Sequence, residues 1–160
     1  MKFAENNDNI TLQPVAYVRN HRPELQDDLW GDVVSEVVLV DTLAEEAFEG
    51  ITEFSHLEII FHFDRVPEEK IIQGARHPRG NQEWPLVGIF AQRGKNRPNR
   101  LGLTIVRLLE RNGRTIRVVG LDAVDGTPVL DIKPVMREFL PREEIVQPEW
   151  STELMSQYWK

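Results

Sequence analysis

Residues 120–134 read GLDAVDGTPVLDIKP, and they decide the fold together with residues 88–93, GIFAQR, and residues 97–104, RPNRLGLT. An ordinary core strand needs alternating apolar residues and little else. These blocks instead place arginine, asparagine, aspartate and glycine at turn positions, where side chains can point at a ligand. The Pro-Asn and Asp-Gly dipeptides within them are common turn formers, so either one alone indicates no more than a turn. Both blocks in one chain favour a ligand-binding site over a pair of simple turns.

A hairpin is predicted between the two blocks. Residues 106–110 and 115–121 are rich in apolar side chains, and they flank Asn112-Gly113. An Asn-Gly pair is the strongest short-range hairpin signal, because both residues tolerate a positive φ in the turn. Such a hairpin would bring the start of the second block close to the end of the first. We therefore expect two polar clusters to face one site: Arg93, Arg97 and Asn99 from the first block, and Asp122 and Asp125 from the second.

The paired blocks closely resemble the TsaA-like family, the S-adenosylmethionine-dependent tRNA methyltransferases also called TrmO. The family pattern is roughly Gly-Val-Phe-Ala-Thr-Arg, then Arg-Pro-Asn-Pro-Ile-Gly-Leu, then Gly-Leu-Asp-x-x-Asp-Gly-Thr-Pro-Val-Leu-Asp-Ile-Lys-Pro. The second block matches at all fixed positions, whereas the first departs at Gln92, at residues 94–96 and at Arg100. The likeness extends upstream through residues 54–57 to the pair at 62–63.

The resemblance implies a fold and a chemistry. The fold is all-β, a single TsaA-like β-barrel, and the cofactor is S-adenosyl-L-methionine. The methyl acceptor is the N6 nitrogen of threonylcarbamoyladenosine beside the tRNA anticodon, so tRNA is the implied partner. Relatives place the cofactor near a two-fold interface, which implies a homodimer. By the same resemblance, the residues expected to contact the cofactor are His62, Phe63, Phe90, Ala91, Arg93, Leu103, Leu121, Asp122, Ala123, Val124, Asp125 and Gly126.

Methylation of a weakly nucleophilic nitrogen requires removal of its proton, so a carboxylate or an imidazole should act as a general base. We expect Asp125 in this role, with His62 as the second candidate. The residues assigned to the substrate or to its loop are Arg79, Arg97 and Asn99. A purely structural role is equally open for the Arg-Pro-Asn turn: Arg97 could pair with Asp131, since arginine often forms bidentate pairs with carboxylates.

Length and composition describe one ordinary globular domain. The chain has 160 residues, of which 41% are hydrophobic and 28% are charged, which suffices for one buried core. We expect a single domain over residues 1–160, with a core at about 11–134 and a C-terminal tail at 135–160. No apolar run approaches the ~20 residues that cross a bilayer, no secretory signal is visible, and the chain has no cysteine. These features predict a cytoplasmic protein without membrane segments or disulfides.

Charge is distributed unevenly along the chain. The formal net charge is -7, yet residues 76–100 hold six basic residues and one acidic residue, so this segment is +5 and the remainder is -12. A local basic patch on an acidic protein can bind phosphates or an anionic cofactor with salt-sensitive affinity. The other interpretation is a solvated loop that happens to be rich in arginine.

Periodicity predicts further strands and short helices outside the blocks. Strands are expected at 11–18, 33–40 and 55–63, and helical turns at 43–48 and 67–70. In the third strand the period of two places one set of residues on each face: His56, Glu58, Ile60 and His62 on one, and Leu57, Ile59, Phe61 and Phe63 on the other. His56 and His62 would then lie about 20 Å apart, too far to share a metal ion, so no metal site is expected.

The two ends of the chain and the first long loop carry weaker signals. Residues 1–10 are polar and predicted to fray. The loop at 20–32 contributes to the cofactor site in relatives, but it matches poorly and no residue is assigned there. Trp150, Leu154 and Tyr158 recur at i, i+4 and i+8, which predicts a short amphipathic C-terminal helix that packs on its own barrel or on a second subunit.

Several common catalytic motifs are absent from the sequence. No Gly-x-Gly-x-x-Gly follows a predicted strand, no phosphate-binding P-loop is present, and no serine lies in a Gly-x-Ser-x-Gly elbow. A methyl-donor site must therefore be built on a scaffold other than a Rossmann fold. Two other functions remain open: a cofactor-binding or RNA-binding module without catalysis, and a methyltransferase that acts on a different substrate.

Overall fold

Six antiparallel strands close into a barrel in the computed structural model of this protein, which describes residues 9–160. The strands are β1 (Ala16–Arg19), β2 (Val34–Leu39), β3 (His56–His62), β4 (Ala75–Arg76), β5 (Val87–Gly88), β6 (Leu101–Asn112), β7 (Thr115–Val119) and β8 (Pro128–Pro134). The barrel order is β1-β2-β7-β6-β3-β8, and β8 pairs with β1 to close it. Strands β4 and β5 form a separate two-stranded ribbon. The expected all-β barrel is confirmed, and the predicted fraying falls largely on residues 1–8, which lie outside the described residues.

Helical structure is short. One α-helix, α1, spans Glu149–Leu154. Single 3-10 turns lie at Glu45–Phe48, Ile51–Glu53, Glu68–Lys70, Pro78–Gly80, Ile89–Ala91 and Arg137–Phe139. In residues 9–160 no helix has both the length and the apolar character needed to span a bilayer. Within the same range, no group of three or more histidine, aspartate or glutamate side chains is placed to hold a metal ion.

The barrel core follows from strand alternation. Leu57, Ile59 and Phe61 of β3 are at most 1% exposed, so the predicted division of this strand into an inner and an outer face is confirmed. Valines and isoleucines from neighbouring strands complete the interior. Burying one such side chain completely contributes about 1.5–3 kcal/mol, which makes this shared interior the main source of stability.

Gly102 makes room for the largest of these side chains. It pairs in register with Phe61 across β3 and β6. A Cβ atom at position 102 would lie 2.4 Å from Cζ of the Phe61 ring, far inside van der Waals contact. Glycine is therefore required for the Phe61 ring to lie across β6 in this position.

The hairpin between the blocks is confirmed, but its turn differs from the prediction by one residue. Asn112 pairs with Thr115 as the last residue of β6, so the two turn residues are Gly113 and Arg114. Only Gly113 has a positive φ, of 56°. Glycine at the first of two central positions is typical of a type II′ turn, which suits the twist of the flanking strands.

Two predicted elements have different boundaries in the structure. The first strand, expected at 11–18, is limited to β1, because Pro14 has no N–H to donate to a neighbouring strand. The C-terminal helix ends at Leu154, so Tyr158 lies in the turns that follow α1 and not on its apolar stripe. Hydrogen bonds from residue i to i−3, such as Tyr158 N to the Met155 carbonyl at 3.0 Å, tighten this segment.

Three connections meet at one end of the barrel, because consecutive barrel strands in its order run antiparallel. They are the β1–β2 loop (20–33), the β3–β6 connection (63–100) and the β7–β8 turn (120–127). We call this the loop end. The β6–β7 hairpin and the β2–β3 connection lie at the opposite end. Both sequence blocks thus contribute to the loop end, together with the first loop.

Candidate functional site

The Asp122 carboxylate is the centre of the polar contacts at the loop end. Its Oδ1 accepts a hydrogen bond from the Thr104 hydroxyl, and its Oδ2 accepts one from the Tyr158 hydroxyl. Thr104 lies on the buried face of β6, between Gly102 and Val106, and is 6% exposed. The two sequence blocks therefore meet directly, through a side chain of the first and a side chain of the second.

Arg93 approaches the same place from the β3–β6 connection. Its Nη2 donates to the carbonyl of Leu103, at 2.5 Å, next to Thr104 along β6. Arg93 is also close enough to Tyr158 to influence the phenol. The pKa of Tyr158 is raised, mainly by burial and then by the Asp122 carboxylate, while the cationic Arg93 and Arg79 oppose the shift. The Tyr158 hydroxyl therefore stays protonated and acts as a donor.

The β7–β8 turn is bound to the first loop by backbone and side-chain contacts. The Asn20 N–H donates to Asp125 Oδ1 at 3.0 Å, and the Asn20 side chain donates to the carbonyl of Ala123 at 2.9 Å. Gly126 has a φ of 83° and donates its N–H to Val18 at 2.8 Å. Arg65 Nη2 donates to the carbonyl of Asp125 at 2.5 Å. The poorly matching 20–32 loop thus helps to shape the turn.

Three residues expected at the cofactor have side chains that face inwards. Leu121 and Ala123 are buried in the barrel core, and Val124 is buried in a second cluster with Trp30 and Val33. At these three positions only the backbone can meet a ligand, whereas Asp122 and Asp125 are partly exposed. Gly126 lets the chain curve there without a side chain in the way.

Three other expected residues lie on the outer surface. Phe90 is 80% exposed and Leu103 is 44% exposed; Ala91, beside Phe90, is also exposed. Leu103 belongs to an exposed apolar stripe on the outer face of β6, together with Leu101 and Ile105.

His62 and Phe63 lie at the end of β3 and point in different directions. His62 pairs with Leu101 on the outer face of the barrel, whereas Thr104 and the Asp122 contact belong to the inner face. The pKa of His62 is lowered, first by burial and then by the positive charge of Arg100. Phe63 packs edge-on against Phe61 at a centroid distance of 5.2 Å. His62 and the Thr104–Asp122 contact thus lie on opposite faces of the barrel sheet.

The residues assigned to the substrate make contacts within the protein. Arg79 forms a bidentate pair with Asp28 of the first loop, with N···O distances of 2.8 and 3.0 Å. Arg97 donates to the backbone carbonyl of Gln92 at 2.9 Å, and Asn99 is exposed. The alternative pairing of Arg97 with Asp131 is wrong, because Asp131 lies within β8 opposite Ile60 and pairs with Lys133 at 2.7 Å.

The basic segment at 76–100 is partly neutralised by the first loop. Besides the Arg79–Asp28 pair, Lys95 Nζ lies 3.2 Å from Asp27 Oδ1. Surface pairs of this kind contribute about 0–1 kcal/mol each to stability. They nevertheless neutralise two of the six basic side chains in this segment. Arg100 donates to the carbonyl of Val66 at 2.8 Å. The local patch is therefore weaker than its sequence indicates.

Two clefts lie away from the site. One, of about 390 Å³, lies at the opposite end of the barrel between the β2–β3 connection and β8. The other, of about 530 Å³, lies on the outer face of β2, β6 and β7. Neither is lined by a residue expected at the cofactor or substrate.

Sequence reasoning missed three side chains that shape the site. Thr104 carried a usable signal, because it is polar at an inward position of an alternating strand and buried polar groups normally have partners. Asn20 carried no local signal, and the i, i+4, i+8 spacing marked Tyr158 only as a packing residue of the C-terminal segment. Each bonds to a residue of the β7–β8 turn that is 105 or 36 positions away along the chain.

Comparison with known proteins gives a consistent result. Residues 16–139 match the family described as the tRNA-methyltransferase O N-terminal domain. A probable S-adenosyl-L-methionine-binding protein of Methanothermobacter thermautotrophicus is 36% identical over 128 residues, which cover 78% of this chain and 89% of the relative. A similarly described protein of Pyrococcus abyssi is 41% identical over 100 residues, which cover 62% of this chain and 52% of the relative.

Two longer proteins are also similar. The human tRNA (adenine(37)-N6)-methyltransferase is 35% identical over 104 residues, covering 65% of this chain and 23% of the human protein. The crystal structure of TrmO from Pseudomonas aeruginosa superposes with a TM-score of 0.71 at 25% identity, covering 89% of this chain and 62% of that chain. The chain thus spans about half of the Pyrococcus relative and less than a quarter of the human protein.

Proposed function

We propose, because the chain belongs to the family of the tRNA-methyltransferase O N-terminal domain, that it binds S-adenosyl-L-methionine and transfers a methyl group to an adenosine of tRNA. The observation that carries the proposal is the direct contact of the two sequence blocks, in which the Thr104 hydroxyl donates to the Asp122 carboxylate. The names of the relatives agree with it, since two are described as S-adenosyl-L-methionine-binding proteins and one as a tRNA methyltransferase.

The side chains at the loop end suit a ligand of this kind. When bound, S-adenosyl-L-methionine supplies an electrophilic methyl group on a positively charged sulfur. Asp122 offers a carboxylate whose remaining lone pairs can accept from an amino group or from ribose hydroxyls. The backbone of residues 121–126 offers further donors and acceptors beside it, and Arg93 brings a guanidinium that can meet a ligand carboxylate. His62, Phe63, Phe90, Ala91 and Leu103 would complete the cofactor contacts.

The proposed acceptor is the N6 nitrogen of threonylcarbamoyladenosine beside the anticodon, and Asp125 is the first candidate for the base. Its carboxylate is held at the turn by the Asn20 N–H. His62 is the second candidate, since its lowered pKa keeps the imidazole neutral and able to accept a proton near pH 7. Arg79, Arg97 and Asn99 are proposed to lie beside the RNA backbone, with Arg79 exchanging its bond to Asp28 for one to phosphate.

A homodimer is proposed as the form in which the site is complete. The exposed apolar stripe on β6, formed by Leu101, Leu103 and Ile105, lies beside His62 and leads to the Arg93 contact. Phe90, which precedes Arg93 in the first block, is 80% exposed. A second copy packed on this stripe would bury it and would place cofactor residues of the outer face inside an enclosed site. We expect light scattering to give twice 18.6 kDa, and a monomer at micromolar concentration would contradict the dimer.

The reaction is tested by incubating the protein with tritiated donor and with tRNA that carries or lacks threonylcarbamoyladenosine. Label in the modified tRNA supports the proposal, and label in another RNA or protein would indicate a different acceptor. Donor binding without label would indicate a binding module. A cytoplasmic location is part of the proposal, because tRNA is available there as substrate.

The cofactor site is tested by Arg93→Ala, with Arg142→Ala in the exposed tail as the matched control. We expect calorimetry to detect no donor binding by the Arg93 variant and unchanged binding by the control. Both variants should melt close to the parent, because the Arg93 side chain is exposed and makes one hydrogen bond to a backbone carbonyl. Undiminished binding by Arg93→Ala would remove this residue from the site.

A further inference from the structure

The last twelve residues form a segment that lies over the loop end. The backbone carbonyls of Gln157 and Tyr158 accept hydrogen bonds from the N–H groups of Leu29 and Trp30, at 3.2 and 2.8 Å. Leu29 and Trp30 belong to the first loop and are far from the C-terminal segment in sequence. The C-terminal segment therefore docks on its own barrel, by a short ladder with the β1–β2 loop.

The docking is fitted closely at Gly31. A Cβ atom at this position would lie 2.0 Å from the carbonyl oxygen of Trp159. Backbone atoms on both sides make the contact, so no side-chain movement could relieve it. On the other flank, Trp84 Nε1 donates to Glu153 Oε2 of α1 at 2.9 Å. The C-terminal segment is therefore held by the first loop at residues 157–159 and by Trp84 at α1.

Tyr158 carries the contact from the tail into the site. Its ring packs against the buried cluster of Trp30, Val33 and Val124, and its hydroxyl donates to Asp122 Oδ2. The Thr104 hydroxyl donates to the other oxygen. Neutral donors thus hold both oxygens of one carboxylate, one from the barrel strand and one from the C-terminal segment.

We propose that Tyr158 is a positioning residue for donor binding: it fixes the Asp122 carboxylate in one orientation, with the remaining lone pairs directed at the ligand. This inference rests on the proposed function, since it assigns Asp122 to the donor. A carboxylate has about four acceptor sites, and the two hydroxyls occupy two of them. A carboxylate that is already oriented loses less freedom when the ligand binds, which increases affinity.

The test is calorimetric titration of the full chain with S-adenosyl-L-methionine. Tyr158→Phe keeps the ring and its packing but removes the hydroxyl, and we expect it to weaken binding about tenfold, within the range for a lost hydrogen bond to a charged group. Tyr17→Phe is the matched control, because Tyr17 is the only other tyrosine and is 44% exposed on β1. The control should bind as the parent does.

A double-mutant cycle of Tyr158→Phe with Asp122→Asn distinguishes a positioning role of Tyr158 from a purely structural role of the C-terminal segment. Donor affinity is measured for each variant, at donor concentrations up to the millimolar range. If Tyr158 acts through Asp122, the Phe substitution costs less than twofold in the Asn background, because the losses are not additive for groups that act together. Full additivity would overturn the proposal, as would unchanged or tighter binding by Tyr158→Phe in the parent background. Tighter binding would show that the hydroxyl competes with the ligand. A parent chain that binds no donor would refute the proposed function itself, and this result is distinct from the others.

Discussion

Replacing Gly102 by alanine should destabilise the barrel, although alanine is the better residue for most extended backbone. The added methyl group would meet three carbon atoms of the Phe61 ring, at 2.4, 2.5 and 2.9 Å. Carbon atoms in contact are normally about 3.5–4.0 Å apart, so the ring must move by about 1 Å or leave its place. Phe61 is 1% exposed in the centre of the core, and its neighbours leave little space for such a movement.

The magnitude follows from two opposing effects. Overpacking a well-packed core costs about 1–3 kcal/mol. Restricting the unfolded chain by replacing glycine recovers only about 0.4–1 kcal/mol. The steric effect wins, and the free energy of unfolding should fall by about 1–2 kcal/mol, which for a chain of this size lowers Tm by about 2–8 °C.

Urea denaturation with a constant m-value and thermal melting measure the change. Gly88→Ala is the matched control, since Gly88 lies in a strand with a negative φ and a Cβ there would meet no atom within 4 Å; its effect should stay within about 0.5 kcal/mol. Phe61→Leu in the Gly102→Ala background should recover part of the loss. Equal stability of the two alanine variants, or no recovery with leucine, would refute the argument from the ring.

Three further outcomes are expected. Gly31→Ala should displace the C-terminal segment from the first loop and weaken donor binding, which calorimetry measures. Gly74→Ala is the control and should bind donor as the parent does, because a Cβ there would meet nothing within 4 Å. Burial and the Asp122 carboxylate raise the pKa of Tyr158. Denaturation midpoints should therefore fall above about pH 10, where the unfolded chain releases the Tyr158 proton and the folded chain retains it. Tyr158→Phe should remove that fall. Stability should also decrease as the pH drops below about 6.5, because the pKa of His62 is lowered in the folded chain and the unfolded chain therefore binds this proton more readily. The fall of the free energy of unfolding with decreasing pH should be shallower in His62→Gln. Equal slopes in the two proteins would exclude His62 as the source.

Some features of the site follow from the chain locally. The apolar alternation of β3 fixes which side chains enter the core, because a strand directs successive side chains to opposite faces. The Asp-Gly turn and the hairpin at Gly113 follow from the backbone freedom of glycine. These local rules, with the resemblance of the two blocks, were enough for the fold and for the expectation that Asp122 and Arg93 lie at one site.

Only the tertiary structure decided which groups satisfy one another there. Arg79 could have met a phosphate or any of many carboxylates, and the fold places Asp28 beside it. Asp122 could have stood free, and the fold brings it hydroxyls from β6 and from the C-terminal segment. Strand periodicity is written into neighbouring residues, whereas a hydrogen bond between positions tens of residues apart depends on how loops cross in space. Such a partner is chosen by geometry and by the cost of leaving a polar group unpaired, and the sequence displays neither.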